Sequence, residues 1–87
     1  MHEDSIKSFK EKLDNEYQWP SLYSFKFIVP KGKEDEVKVI FHQHEVKEKA
    51  SSKGNYISIT AKVMAQSSDT IIDYYIKASK VEGVIAL

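Results

Sequence analysis

The sequence predicts an α+β fold in which one extra helix precedes a β-α-β-β-α-β core. Three observations carry this. Residues 22–29 and 56–64 alternate apolar and polar side chains with a period of two, the mark of half-buried strands. Residues 34–41 and 68–79 carry apolar side chains at helical spacing, and each segment follows one of those strands. Residues 50–64 read as a strand end, a glycine turn and a long strand, which together make a hairpin.

Taken in order, Asp4 or Ser5 caps the first helix. Ile6, Phe9 and Leu13 then share one face, while Lys7, Lys10, Glu11 and Lys12 turn to water. The helix ends near residues 15–17. Trp19 precedes Pro20 and so avoids the helical region, which makes this stretch an extended linker. In the first strand Tyr23, Phe25, Phe27 and Val29 lie on one face and Leu22, Ser24, Lys26 and Ile28 on the other. Pro30, Lys31, Gly32 and Lys33 break the strand. Glu34, Asp35 and Glu36 open the second helix, where its dipole favours acids. Val37, Ile40, Phe41 and His44 follow at helical spacing.

Residues 46–50 form a short charged strand suited to a sheet edge, since lysines guard such edges. After the turn at residues 51–55, Ile57, Ile59, Ala61 and Val63 face one way in the long strand. Tyr56, Ser58, Thr60, Lys62 and Met64 face the other. Ser67 or Ser68 caps the third helix, whose buried stripe is Ile71, Ile72, Tyr75, Ala78 and Ser79. Residues 81–87 return as an apolar closing strand, with Gly83 near its start.

Without its first helix this order is the ferredoxin-like sandwich. Four antiparallel strands in spatial order 4-1-3-2 carry two helices on one face, and the right-handed crossover rule fixes the path. The expected core is Phe25, Phe27, Val29, Val37, Ile40, Phe41, Ile57, Ile59, Val63, Ile72 and Tyr75. We read residues 1–87 as one domain, with helix and linker at 1–18 and the core at 19–87.

Composition excludes several functions. The 13 Lys+Arg residues balance the 13 Asp+Glu residues, so no global field draws nucleic acid or an anionic membrane. Every basic residue is lysine, and the bidentate phosphate clamp that arginine supplies is missing. Without cysteine there is no disulfide, thiolate catalysis or thiolate metal site. No apolar run approaches the length of a membrane span, and the opening His2, Glu3 and Asp4 are charged. A cytoplasmic protein with neither signal peptide nor anchor is expected.

Three stretches carry a family resemblance. Ser51-Ser52-Lys53-Gly54-Asn55-Tyr56 leads into an Ile-Ser-Ile-Thr strand. Tyr23-Ser-Phe-Lys-Phe-Ile-Val29 follows Pro20, and the chain closes on Lys80-Val-Glu-Gly-Val-Ile-Ala-Leu87. From about Trp19 onward the sequence resembles the YbeD-like family of bacterial proteins of unknown function. The resemblance implies a fold like that of the ACT regulatory domains, which bind amino acids at paired ferredoxin-like modules. ACT domains often place a glycine between first strand and helix so that a ligand approaches the backbone, and Gly32 holds that position here.

Chemistry was sought residue by residue. His42 and His44, followed by Glu45, are the one cluster of metal-ligand types. At a helix end they diverge by about 200°, and a zinc site needs three or four ligands, so no metal is expected. Ser51, Ser52, Ser67 and Ser68 belong to turns and caps and have no nucleophile elbow. Acylphosphatases share the fold but use an arginine loop, and heavy-metal transport domains need cysteine pairs. RNA-recognition motifs stack bases on outward aromatics of the central strands. Tyr56 alone is no such platform, and Lys26, Lys47, Lys49 and Lys62 read as a solvated sheet face.

The expected function is therefore a small non-catalytic regulatory or binding module of ACT-like type, without cofactor. Its partner would be a protein or a small metabolite, with no membrane, and an RNA-binding domain is the least favoured reading. The ligand-binding candidates are Gly32, Lys33, His42 and His44. The alternative is an enzyme, or an enzyme accessory, with a site near the first strand-helix loop. A monomer or weak homodimer is expected, with residues 4–17 packed on their own chain, able to shield part of the open sheet face or to pack against an edge.

Overall fold

Alternation and helical spacing translate directly into elements. The computed structural model describes residues 3–87, so His2 lies outside the described residues. Helix α1 spans Glu3–Glu16, strand β1 Ser21–Pro30 and helix α2 Glu34–Lys38, which tightens into a 3-10 turn at Val39–Phe41. Strands β2 (Val46–Ala50) and β3 (Tyr56–Ala65), helix α3 (Ser68–Ser79) and strand β4 (Ile85–Ala86) follow. The result is a mixed α+β fold with one open four-stranded sheet. Among the described residues no helix is long and apolar enough to cross a membrane.

The sheet runs β2-β3-β1-β4, with every neighbouring pair antiparallel. Its spine is the β1–β3 pair, in register from Ser21 opposite Ala65 to Pro30 opposite Tyr56. This register places Phe25 across from Ala61 and Phe27 across from Ile59, all buried. Ser24 and Lys26, on the other face, stay exposed. The period-two pattern thus sorts side chains as expected, because cross-strand partners share a face.

Helices cover the inner face. Val37 and Phe41 descend from α2 and its 3-10 turn, and Ile71, Ile72 and Ala78 from α3. Aromatic rings fill the space between layers. Phe41 stacks on Tyr74 at 4.7 Å between centroids, and Phe25 meets Tyr75 at 5.1 Å. Ser67 has extended backbone and accepts a hydrogen bond from the Thr70 N–H at 3.4 Å, which fixes the start of α3. Ile40, Ile57 and Tyr75 of the expected core are half-buried rather than fully enclosed.

Two expectations need correction. The closing strand is two residues long, not seven. Val81 N–H bonds to Ala78 O at 3.0 Å and Val84 N–H to Val81 O at 3.3 Å, so the chain keeps turning after α3. Gly83, at φ 79°, completes that turn, and Val81 is buried in the core instead of lining a strand.

The second correction concerns α1. It packs on α3 within the helical layer and shields none of the outer sheet face. Leu13 is buried, and the Phe9 ring meets Tyr75 edge-on at 5.5 Å. Lys10 Nζ donates to the buried Ser68 Oγ at 2.9 Å and pairs with Asp69 at 3.1 Å.

Candidate functional site

The four residues named from sequence fall into two separate places. Gly32 and Lys33 form the β1–α2 turn, where Gly32 takes φ 101°. Its N–H donates to Glu34 Oε2 at 2.8 Å. The Glu34 carboxyl is held below its ordinary value by hydrogen bonds from its own backbone N–H and that of Gly32. Lys33 pairs with Glu36 at 3.2 Å. The glycine therefore serves a turn that its own helix closes.

His42 and His44 lie beyond the other end of α2 and its 3-10 turn, about 15 Å away along a helical stretch of this length. His42 Nδ1 lies 3.2 Å from Val39 O, and His44 Nε2 lies 3.2 Å from the Tyr74 hydroxyl. Each histidine thus has a local partner, and the two pairs do not build one pocket with Gly32. Among the described residues no three His, Asp or Glu side chains gather into a metal-sized group.

The outer face of the sheet is different in kind. Lys47 and Lys26 flank Thr60 in one cross-strand row, and Lys49, Ser58, Ile28 and Ile85 form the next. Lys62 lies opposite Ser24. Exposed Leu22 faces Met64 at one end, and Tyr56, Ile85 and Leu87 are exposed toward the other. Glu48 points to the inner face opposite Ile59, where it pairs with Lys38 at 3.2 Å and raises the lysine pKa. No outward position of the four strands holds a carboxylate.

Among the described residues the ion pairs gather on the helical side, although Lys7 and Lys12 of α1 make none. Lys10, Lys33, Lys38 and Lys77 on the helical side all sit within 4 Å of a carboxylate, the closest being Lys77 and Asp73 at 3.0 Å. Among the described residues, Lys26, Lys47, Lys49 and Lys62 make no ion pair. The three helices carry ten acids against five lysines. The outward strand positions are thus basic, with Glu45 just before β2 lining the same concavity as Lys47, Thr60 and Lys62, while the helices are acidic. Sequence alternation put these lysines on one face. The same alternation turns Glu48 to the other face, but it did not reveal that Lys38 of α2 meets it there.

A second concavity opens on the inner side, between α1, α3 and β4. Phe9, Phe27, Tyr75, Ser79, Val84 and Ala86 enclose about 410 Å³. Burial pushes the Tyr75 hydroxyl above the ordinary tyrosine range, and its hydrogen bond with the Tyr23 hydroxyl at 2.9 Å adds to the effect. No sequence pattern hints at this cleft, because it depends on where α1 docks.

Comparisons with curated proteins and with solved structures give no match. A family model described as a protein of unknown function, DUF493, matches residues 14–87. That span takes in the whole sheet, α2, α3 and the end of α1, together with the three stretches that carry the resemblance. The chain belongs to the DUF493 family, the YbeD-like proteins of unknown function.

Proposed function

We propose that this protein is a small non-catalytic binding module that docks an acid-bearing protein surface on its outer sheet face. The observation that carries the reading is that face's chemistry. Lys26, Lys47, Lys49 and Lys62 are free of carboxylate partners there, and exposed Leu22, Met64, Ile85 and Leu87 lie among them. Unpaired lysines steer an acidic partner into register, and the apolar side chains supply contact area once it arrives. Protein is favoured over nucleic acid because arginine is absent and Tyr56 is the one outward aromatic of the strands.

The strand order supports the finer fold reading. Taken from the β4 edge it is 4-1-3-2, the order of the ferredoxin-like sandwich. The ACT-like regulatory type follows from that plan by analogy. In this reading the protein works as a monomer or weak homodimer, because a face this rich in lysine is too polar for an obligate dimer core.

Site-specific photo-crosslinking in cells tests the proposal, with the probe at Ser58 or Thr60 on the outer face and at Asp73 on the helical side. A discrete protein adduct is expected from the outer positions and lost in Lys26→Glu with Lys62→Glu. The purified partner should then bind less tightly as salt rises. Adducts confined to Asp73, or binding indifferent to both charge reversals, would refute it.

A further inference from the structure

We propose that the free edge of β4 and the cleft beneath it take an extended peptide segment of a partner protein, apolar at alternate positions, as a fifth strand. This site is separate from the outer face and does not depend on it.

The two edges of the sheet differ. The outer edge of β2 carries Lys47, Glu48 and Lys49, charges that discourage pairing with another strand. From Val84 to Leu87 the β4 edge carries no charged side chain. Its backbone is also correctly turned. Leu87 N–H donates to Lys26 O at 2.9 Å, and Ile85 lies opposite Ile28. Antiparallel ladders alternate, so Ala86 between them directs its N–H and C=O away from β1. These two groups are the template for an added strand.

Side chains complete the site. Ala86 lies opposite the buried Phe27, on the inner face, yet it is exposed. The helical layer therefore stops short of the sheet edge, and the gap is the cleft of about 410 Å³. A strand laid about 4.8 Å outside β4 would send every second side chain toward that gap and the others toward the outer face. The lining of Phe9, Phe27, Val84 and Ala86 fits apolar side chains on the inward positions. A second copy is the weaker occupant. An edge of four residues buries far less than the ~1,200 Å² total of a stable interface. An extended peptide uses both the backbone template and the cleft, as in strand-addition recognition.

The test uses the full chain and an eight-residue peptide alternating threonine and valine, with a lysine at each end, followed by amide NMR shifts. Saturable shifts centred on Val84, Ala86 and Phe9 are expected. Ala86→Pro removes the outward N–H and leaves the Leu87–Lys26 bond in place, so affinity should fall about three- to tenfold. Should that variant disturb the sheet, a peptide N-methylated on its ladder-facing amides makes the same deletion from the other side, with the same expected loss. Exchange of the valines for serine should also abolish binding. The proposal is overturned by shifts confined to the outer face or by no saturation at millimolar peptide. Equal binding of the N-methylated peptide would also overturn it, since only an apolar pocket would then be at work. So would shifts at Ala86 that follow protein concentration without peptide, which would identify a second copy as the occupant.

Discussion

Phe27 shows how much one inward side chain of β1 can carry. Its ring is buried at the centre of the inner face, 6.1 Å from both Phe25 and Phe41 and 5.7 Å from Tyr75. Phe27→Ala should lower the unfolding free energy by about 3–5 kcal/mol through the cavity it leaves. Lys26→Ala, one residue away on the outer face, should change it by no more than about 0.5 kcal/mol. Chemical denaturation of the two variants checks the ranking, and the reverse order would mean that β1 pairs one residue out of register. Tyr75 gives a second prediction at this scale. Its folded pKa is raised above the 10.0 of an unperturbed tyrosine, chiefly by burial and then by the Tyr23 hydroxyl. The stabilisation this represents is complete below about pH 10 and declines as pH climbs from there toward the folded value. Denaturation midpoints between pH 9 and 12 should therefore fall more steeply in the wild type than in Tyr75→Phe.

Elements were legible in proportion to their punctuation. Helix α3 begins and ends where its serine cap and its periodic stripe place it, at Ser68 and Ser79. The long strand β3 was legible because alternation over ten residues has no helical alternative. The closing strand was not, because Val81, Val84, Ile85 and Leu87 are apolar without alternation, and a turn and a strand then look alike. The helical face of α1 could be read from Ile6, Phe9 and Leu13, but an apolar stripe says only that something covers it, not which neighbour does. The same gap hid the cleft that α1 frames. The turn before β4 also leaves no room for a side chain at Gly83. A Cβ at Gly83 would stand 2.7 Å from Pro30 Cγ, on backbone at φ +79°. Gly83→Ala should cost about 1–3 kcal/mol. Amide exchange should be faster at Leu87 in this variant, while the β1–β3 ladder keeps its protection.

For the whole molecule, the decisive property is the division of charge between a lysine face and an acidic helical layer. The lysines could be grouped from sequence. Alternation also turns Glu48 away from them, but its pairing with Lys38 depends on where α2 docks and could not be read. Helix α1 contributes to both the acidic layer and the core, so its removal has two effects. Deleting residues 1–17 takes away Leu13 and uncovers apolar surface on α3 and around the cleft. Sedimentation equilibrium should find the truncated chain self-associating at concentrations where the full chain is monomeric. A truncated chain that stays monomeric and equally stable would contradict the packing described for α1. The junction behind this helix carries its own optical label. Trp19, the single tryptophan, donates its indole N–H to Asp14 at the end of α1 at 3.0 Å and stacks on Tyr17 at 5.6 Å. Trp19 is also half-buried against the core, so its fluorescence reports the joint between α1 and β1, and a spectrum that shifts before the far-ultraviolet ellipticity does would time the moment that joint opens.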